Sequence, residues 1–466
     1  MTTRTNRRRA IIDRRIQILL LVTALGLGAV FRLAYLASDP PWDFTWSQAL
    51  FTDGARAIDG ARSRIVFDTW ILDPRSPVVL FYPLMNLLAF VIFKLAGVGL
   101  VQANLSGSIP ALATLVLVYI GMRKVGGEVA ASLAVFNLGF CYVHIVYSRV
   151  PMVESLEILM LLACFLLLLG GLGRRFLCGL LIGLAALMVK MHALHFLPVA
   201  ALFLWLERHE DRSGGFLRSI LAVAAGVVVA GLVWYLAVYR VNPSVVVKYF
   251  KSNIFVAQRG EYTNATLFDI LTRRIGALVH LGSGRDGLFV KVPVLYTLGA
   301  AGSLSVLSGF GNGKHETKAW ERLALIWLVG IMASLSILSY RPLRYLALII
   351  PSLALVATSF QARLAEGKGL LAASKPRWFA LGFSLWFAAV LIHFYQDIVF
   401  RLLRSGGSSR GTWLVTSYQS VWLKIAICLA IGVALWFMVG TRLRASKGLL
   451  TMRLRQILLF GSLAGI

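Results

Sequence analysis

The feature that most constrains this chain is a series of apolar runs, each about 17 to 22 residues long, the length that an α-helix needs to cross a bilayer. The runs recur along most of the 466 residues. Hydrophobic residues make up 58% of the chain and charged residues only 14%, whereas about a quarter of a soluble domain is charged. The sequence therefore predicts an all-α polytopic membrane protein.

The lysines and arginines predict how the chain crosses the membrane. The basic N-terminal segment MTTRTNRRRAIIDRR precedes an apolar run without a small-residue cleavage site, which indicates a retained first helix with a cytoplasmic tail. The run at about 77–95 contains Pro83, Asn86 and Lys94. If this run lies beside the membrane, the later basic loops all fall on the cytoplasmic side.

On this topology the predicted spans are 16–36, 102–122, 126–147, 152–171, 175–191, 193–207, 218–239, 291–310, 322–340, 345–361, 377–397 and 421–440. A last run from Ile457 to Ile466 is too short to cross. The expected architecture is one transmembrane domain over 1–466. It carries two large extracytoplasmic loops, at 37–101 and 240–290.

The net charge of +27 does not indicate a nucleic-acid partner. Many of the basic residues lie in short loops between spans, where the positive-inside bias and the anionic membrane lipids account for them. The cysteines are Cys141, Cys164, Cys178 and Cys428, and all lie inside apolar runs without ligand-like spacing. They predict packing residues rather than disulfides or a metal site.

Six ionisable residues are predicted to lie together at the extracytoplasmic face. They are Asp53 in FTDGARAI, Glu154 in YSRVPMVESL, Lys190 and His192 in VKMHALHFLP, and Arg341 and Arg344 in SYRPLRYLALIIP. Ionisable residues at membrane depth are costly and commonly line substrate paths. Taken singly, each also fits a structural role as a loop acid, a helix-capping carboxylate or an interfacial anchor. Arg149 is open to the same readings, either paired with Glu154 or reaching to the interface.

Carboxylates and cations in this combination fit transfer from an activated lipid phosphate. A carboxylate takes the proton of an attacking hydroxyl, and arginine and lysine neutralise the departing phosphate. A site at the membrane boundary lets the carrier's tail stay in the bilayer while its head reaches these groups.

The order of these motifs resembles the GT-C superfamily of polyprenyl-phosphate-sugar glycosyltransferases. The segments that carry the resemblance are T-D-G-A-R, P-V-V-L-F-Y-P-L, Y-S-R-V-P-M-V-E, V-K-M-H-A-L-H-F-L-P and R-P-L-R-Y-L-A-L-I-I-P, within residues 15 to 360. The branch it is most similar to contains protein O-mannosyltransferases and lipid A aminoarabinose transferase. The resemblance implies a GT-C-type bundle of about 12–13 transmembrane helices with juxtamembrane helices in the first extracytoplasmic loop. It also implies an inverting sugar transfer at the outer face of the cytoplasmic (inner) membrane.

The resemblance further implies individual roles. Asp53 matches the general base, Glu154 the acid that orients acceptor or base, and Lys190 and Arg344 the ligands of the carrier phosphate. The further expected substrate-binding residues are His192, Arg341, Arg149 and Asp43. Many relatives have Asp-Glu where this chain has Asp53 followed by Gly54, so Glu154 or Asp43 takes over if a second acid is required. No cofactor or metal is expected, although Asp53 and Glu154 are a possible pair of ligands for a divalent ion.

Two other classes of function stay open at this stage. A lipid or solute transporter or flippase would line its path with the same charges, but the chain lacks the internal repeats that are common in transporters. A non-catalytic membrane subunit of a glycan assembly complex would not need the Lys190 and Arg344 pair. The sequence does not identify the sugar, or whether the acceptor is a glycolipid, a polysaccharide or a protein.

Overall fold

The computed structural model describes residues 14–37, 49–72, 78–208, 215–248, 292–311, 317–337 and 343–366. Within these ranges the regular elements are helical, as the predicted all-α class requires. The α-helices are α1 Arg14–Leu33, α2 Ala49–Ala57, α3 Asp59–Phe67, α4 Pro83–Ala96, α5 Leu100–Val125, α6 Glu128–Gly139, α7 Tyr142–Ser148, α8 Val153–Leu168, α9 Leu172–Met188, α10 Phe196–Glu207, α11 Gly215–Trp234, α12 Pro293–Gly311, α13 Ala319–Ile337, α14 Leu343–Leu346 and α15 Ile350–Glu366. Short 3₁₀ segments cover Val78–Leu80 and Met191–His195, and a π-helical turn covers Tyr235–Tyr239.

A helix lies at each of the first ten predicted spans. In the described residues three helices are long and apolar enough to cross a membrane by themselves, namely α1, α5 and α11 with its π-helical continuation. The pair α6 and α7 provides a fourth if it is taken as one bent span. The spans predicted at 377–397 and 421–440, and the run from Ile457, lie outside the described residues.

The predicted span 126–147 differs from the structure, because it is broken between α6 and α7 by a bend of 63°. Arg32 of α1 explains how the break is stabilised. Its fully buried guanidinium donates to the backbone oxygens of Gly139 at 2.9 Å and Leu138 at 3.2 Å, at the C-terminus of α6. These carbonyls lack the intrahelical partner that a continuous helix would supply. The guanidinium also contacts His144 Nδ1 in α7, at 2.7 Å.

The run predicted to lie beside the membrane forms α4, which has 14 residues and a length of about 21 Å. That is shorter than the roughly 30 Å hydrocarbon core. Proline at its first position suits a helix start, because proline has no amide hydrogen to leave unpaired. Two short helices, α2 and α3, precede α4, and α3 packs against it. The structure thus contains short helices where the juxtamembrane helices were expected.

Basic residues from loops predicted to be cytoplasmic meet at one end of the bundle. Lys318 Nζ lies 3.3 Å from Gly126 O, Arg322 pairs with Glu207, and Arg363 pairs with Glu321 at 2.7 Å. Arg363 lies in the last turn of α15, whereas Arg344 precedes the first residue of that helix. The two arginines are therefore separated by about 20 Å along the helix axis, at opposite ends of the bundle.

Candidate active site

Glu154 is the buried centre of an ionic cluster. It lies in the first turn of α8, which begins after an extended residue at Met152. Its side chain is 1% exposed, and its Oε1 atom pairs with Lys190 Nζ. The same oxygen lies 3.7 Å from Arg344 Nε. One carboxylate therefore serves as counter-ion to two cations that come from different parts of the chain.

Lys190 reaches the cluster because α9 ends just before it. The backbone of Lys190 is extended, with φ −162°, and its amide donates to Ala185 O at 2.7 Å. The side chain is 12% exposed, and the ammonium lies 4.5 Å from the centre of the Tyr345 ring. The carboxylate and the aromatic face both stabilise a cation here.

Arg344 lies in the single-turn helix α14, and its side chain is 11% exposed. Its Nη1 atom donates to Asp53 Oδ2, and its guanidinium lies 5.5 Å from the centre of the Tyr345 ring. Burial disfavours the charge on this group. The negative charges of Glu154 and Asp53 outweigh that penalty, so the pKa of Arg344 lies above its ordinary value.

Asp53 projects from α2 and is the most accessible member of the cluster, with a side chain that is 43% exposed. Its neighbour Gly54 is buried against the turn that leads into α8. A Cβ atom built on Gly54 would lie 3.1 Å from Pro151 Cγ. Close packing on this turn thus disfavours a side chain at position 54, because Pro151 would have to shift by a few tenths of an ångström to make room for it.

The other predicted site residues differ in where they lie. His192 packs edge-on against Tyr345, with 4.2 Å between the ring centres, and its buried Nδ1 atom has no hydrogen-bond partner among the described residues. Arg149 donates to Phe31 O at 2.6 Å and Tyr35 O at 3.2 Å, so it binds the end of α1. These are the contacts of a helix cap, and its substrate-binding role stays a prediction. Asp43 and Arg341 lie outside the described residues.

Two residues of the cluster were missed from the sequence. The ring of Tyr345 contacts Lys190, Arg344 and His192. Its position directly after Arg344 in the sequence could have indicated that it belongs to the cluster. Glu157 is fully buried one turn after Glu154, and both of its carboxyl oxygens lack a hydrogen-bond partner among the described residues. Lys190 and Glu154 are charged groups that act on it electrostatically. The three-residue spacing in V-E-S-L-E places both glutamates on one helix face.

Within the described ranges, no group of three or more histidine, cysteine or acidic side chains lies close enough together to hold a metal ion. Asp53 and Glu154 both contact Arg344, so their negative charge already has a cation between them. The expectation that no cofactor is needed stays a prediction.

The side chains of the cluster lie at different depths. Glu154 lies innermost, the two cations lie over it and over the Tyr345 ring, and Asp53 lies on the most exposed side. Two cations side by side at low exposure bind an anionic group, and an adjacent carboxylate accepts a proton.

Comparison with known proteins gives matches in structure. No protein-family model and no curated protein sequence matches the chain. Two crystal structures of ArnT from Cupriavidus metallidurans, one in the apo state and one bound to undecaprenyl phosphate, match with a TM-score of 0.55 and 16% identity. Each match covers 96% of this chain, and they cover 75% and 77% of the ArnT chain.

The oligosaccharyltransferase of Archaeoglobus fulgidus, in a complex with zinc and sulfate, matches with a TM-score of 0.50 and 14% identity. That match covers 86% of this chain and 57% of the other. ArnT, the lipid A aminoarabinose transferase, and the oligosaccharyltransferase are both GT-C proteins. The likeness confirms the predicted fold class: the chain is a polytopic membrane protein with the GT-C fold.

Proposed function

We propose that this protein is a glycosyltransferase that moves a sugar from a polyprenyl-phosphate carrier to an acceptor outside the cytoplasmic membrane. One observation carries the proposal. Two cations and an accessible carboxylate from three separate segments form a single ionic cluster around a buried glutamate. Among the functions that fit such a cluster, the GT-C fold favours sugar transfer.

Lys190 and Arg344 are the proposed ligands of the carrier phosphate. Both are nearly buried, and both are held by Glu154 and by the Tyr345 ring. Cations fixed in advance lose little conformational freedom when an anion binds. The ArnT structure bound to undecaprenyl phosphate makes a lipid phosphate a reasonable ligand to test on this chain.

Asp53 is the proposed general base. As the acceptor hydroxyl attacks, its O–H bond breaks and the proton passes to the Asp53 carboxylate. The acceptor oxygen forms a bond to the anomeric carbon, and the bond from that carbon to the phosphate oxygen breaks with its electron pair on the phosphate. Lys190 and Arg344 stabilise the negative charge that develops there. Direct displacement of this kind inverts the anomeric centre.

Glu154 is assigned a positioning role rather than contact with the acceptor. Its side chain is 1% exposed and lies behind both cations. Removing it would leave those cations without their nearest buried counter-ion. The alternative, in which Glu154 replaces Asp53 as base, is less favoured because the side chain of Glu154 is 1% exposed, whereas that of Asp53 is 43% exposed.

The proposed membrane is the cytoplasmic membrane, with the cluster on its extracytoplasmic face. The meeting of basic residues at the opposite end of the bundle supports this orientation, because such residues are retained in the cytoplasm. The acceptor is a glycolipid, a polysaccharide or a protein, and the donor is a polyprenyl-phosphate-linked sugar.

The test is sugar transfer by purified protein in proteoliposomes, supplied with a panel of polyprenyl-phosphate-linked sugars and cell-envelope acceptors. We expect Asp53→Asn to lower kcat about 100- to 10,000-fold, the range typical of a lost general base. Arg344→Ala and Lys190→Ala should each lower kcat/KM for the donor by about 100-fold or more.

Two matched substitutions serve as controls. Asp59→Asn removes an acid from α3, directly after the helix that carries Asp53, where the side chain is 52% exposed. Lys318→Ala removes an exposed cation at the other end of the bundle. Both should transfer at the rate of the unmodified protein. Equal losses in Asp59→Asn and Asp53→Asn would contradict the assignment of the base, and equal losses in Lys318→Ala and Lys190→Ala would contradict the phosphate site.

A further inference from the structure

The base and the leaving-group cation of the proposed reaction are bonded to each other. Arg344 Nη1 donates to Asp53 Oδ2, and these two residues come from segments almost three hundred positions apart. A guanidinium N–H that points at a carboxylate oxygen is not free to donate at full strength to a phosphate oxygen. Carboxylate and phosphate therefore compete for the same atom of Arg344.

The two carboxylates that contact Arg344 are held very differently. Glu154 is 1% exposed and also pairs with Lys190, so it is fixed from two sides. Asp53 is 43% exposed, and its described ionic partner is Arg344. An exposed carboxylate leaves an ion pair at low cost because water solvates it, whereas a buried one does not. Asp53 is therefore the carboxylate that Arg344 can leave at low cost.

Proton transfer to Asp53 then weakens its ion pair with Arg344, which leaves the guanidinium available to the departing phosphate. A neutral carboxylic acid attracts a guanidinium much less than a carboxylate does. Whatever the charges of the surrounding groups, the proton that Asp53 accepts adds one positive charge to the cluster. This happens in the same step in which the breaking glycosidic bond places a further negative charge on the phosphate.

We propose that Asp53 and Arg344 act as a coupled pair, in which proton uptake by the base releases the arginine to the leaving phosphate. This inference rests on the proposed function and adds to it a link between acceptor activation and leaving-group stabilisation. Acceptor O–H cleavage, formation of the new glycosidic bond and departure of the phosphate are then coupled through one ion pair. The carboxylate also weakens carrier binding until it has been protonated.

The coupling is tested by measuring the binding of a polyprenyl phosphate rather than turnover. Asp53→Asn removes the competing charge, so it should bind a polyprenyl phosphate more tightly than the unmodified protein, even though its kcat for sugar transfer is lowered. Loss of one hydrogen bond to a charged group corresponds to about a tenfold change in affinity. The probe is farnesyl phosphate, measured by titration calorimetry on the full-length protein in detergent. Farnesol, which lacks the phosphate, reports binding of the tail alone.

Two further variants separate the coupled pair from general electrostatics. Asp59→Asn removes the same charge from the same loop without touching Arg344, and should leave the affinity unchanged. The double variant Asp53→Asn with Arg344→Ala should lose the gain in affinity. If Asp53→Asn bound farnesyl phosphate no more tightly than the unmodified protein, or if Asp59→Asn tightened binding equally, the coupling would be refuted.

A second measurement applies if Asp53→Asn fails to fold. Arg344→Lys keeps the positive charge but removes the planar fork that contacts two carboxylates at once. It should retain binding of farnesyl phosphate within about threefold while lowering kcat by about tenfold or more. Unchanged kcat in this variant would overturn the inference. Absence of farnesyl phosphate binding to the unmodified protein would instead refute the proposed function itself.

Discussion

Replacement of Glu154 by glutamine separates a structural counter-ion from a residue that meets the acceptor. The substitution keeps the shape of the side chain but removes the charge shared by Lys190 and Arg344, whose side chains are 12% and 11% exposed. Breaking a buried ion pair by removing one partner costs about 3 to 5 kcal/mol, because the remaining charge is left without compensation. The contact of Lys190 with the Tyr345 ring is present in both forms of the protein, so it does not offset this cost. We therefore expect Glu154→Gln to lower the free energy of unfolding by about 3 to 5 kcal/mol.

The assay is unfolding of the purified protein in mixed micelles with increasing sodium dodecyl sulfate, followed by tryptophan fluorescence. Asp53→Asn is the matched comparison, because it removes an acid from the same cluster at an exposed position, and it should cost no more than about 1 kcal/mol. If Glu154→Gln were as stable as Asp53→Asn and nevertheless lost transfer, Glu154 would have a direct catalytic role and its assignment as a positioning residue would be wrong.

Two further predictions concern the residues that hold the site in place. Asn86 in α4 donates to Ala57 O at 2.8 Å and accepts from the Ala61 amide at 3.0 Å, so it fixes the junction of α2 and α3. Asn86→Ala should lower kcat about 10- to 100-fold through misplacement of Asp53, with donor KM unchanged; a raised KM at constant kcat would contradict this. Arg32→Met should destabilise the protein by about 3 kcal/mol or more, because it leaves carbonyls at the end of α6 without donors. An unchanged unfolding curve in sodium dodecyl sulfate would refute that role.

The placement of the helices was predictable because hydropathy is a local property that sums along the chain. A run of about 20 apolar residues has one low-energy arrangement in a bilayer, and basic residues between runs set its direction. These two rules also brought Glu154, Lys190 and Arg344 to one end, since each lies at the edge of an apolar run. Asp53 was placed with them by loop position and by the resemblance to GT-C enzymes.

Hydropathy did not predict the partner of each polar group. Arg32 lies within the first predicted span, and its contacts with the end of α6 and with His144 depend on how two distant helices cross. The break that it stabilises was therefore missed, and 126–147 was predicted as a single span. The same limitation applies to Glu157, whose burial follows from packing around α8, and to Arg149, whose guanidinium binds the end of α1.

The cluster lies where helices end, and this has a physical reason. Glu154 opens α8, Lys190 follows the end of α9, and Arg344 lies in a single turn before α15. Side chains at such ends project from backbone that has left the helical direction, so residues from several helices converge without breaking a span. A cation in this position is costly unless a carboxylate is buried with it. Glu154 meets that requirement and lets both cations stay charged at low exposure. Asp53 supplies the second negative charge of the cluster from an exposed position, where water can replace it as a partner, so it can exchange its ion pair and its proton at low cost.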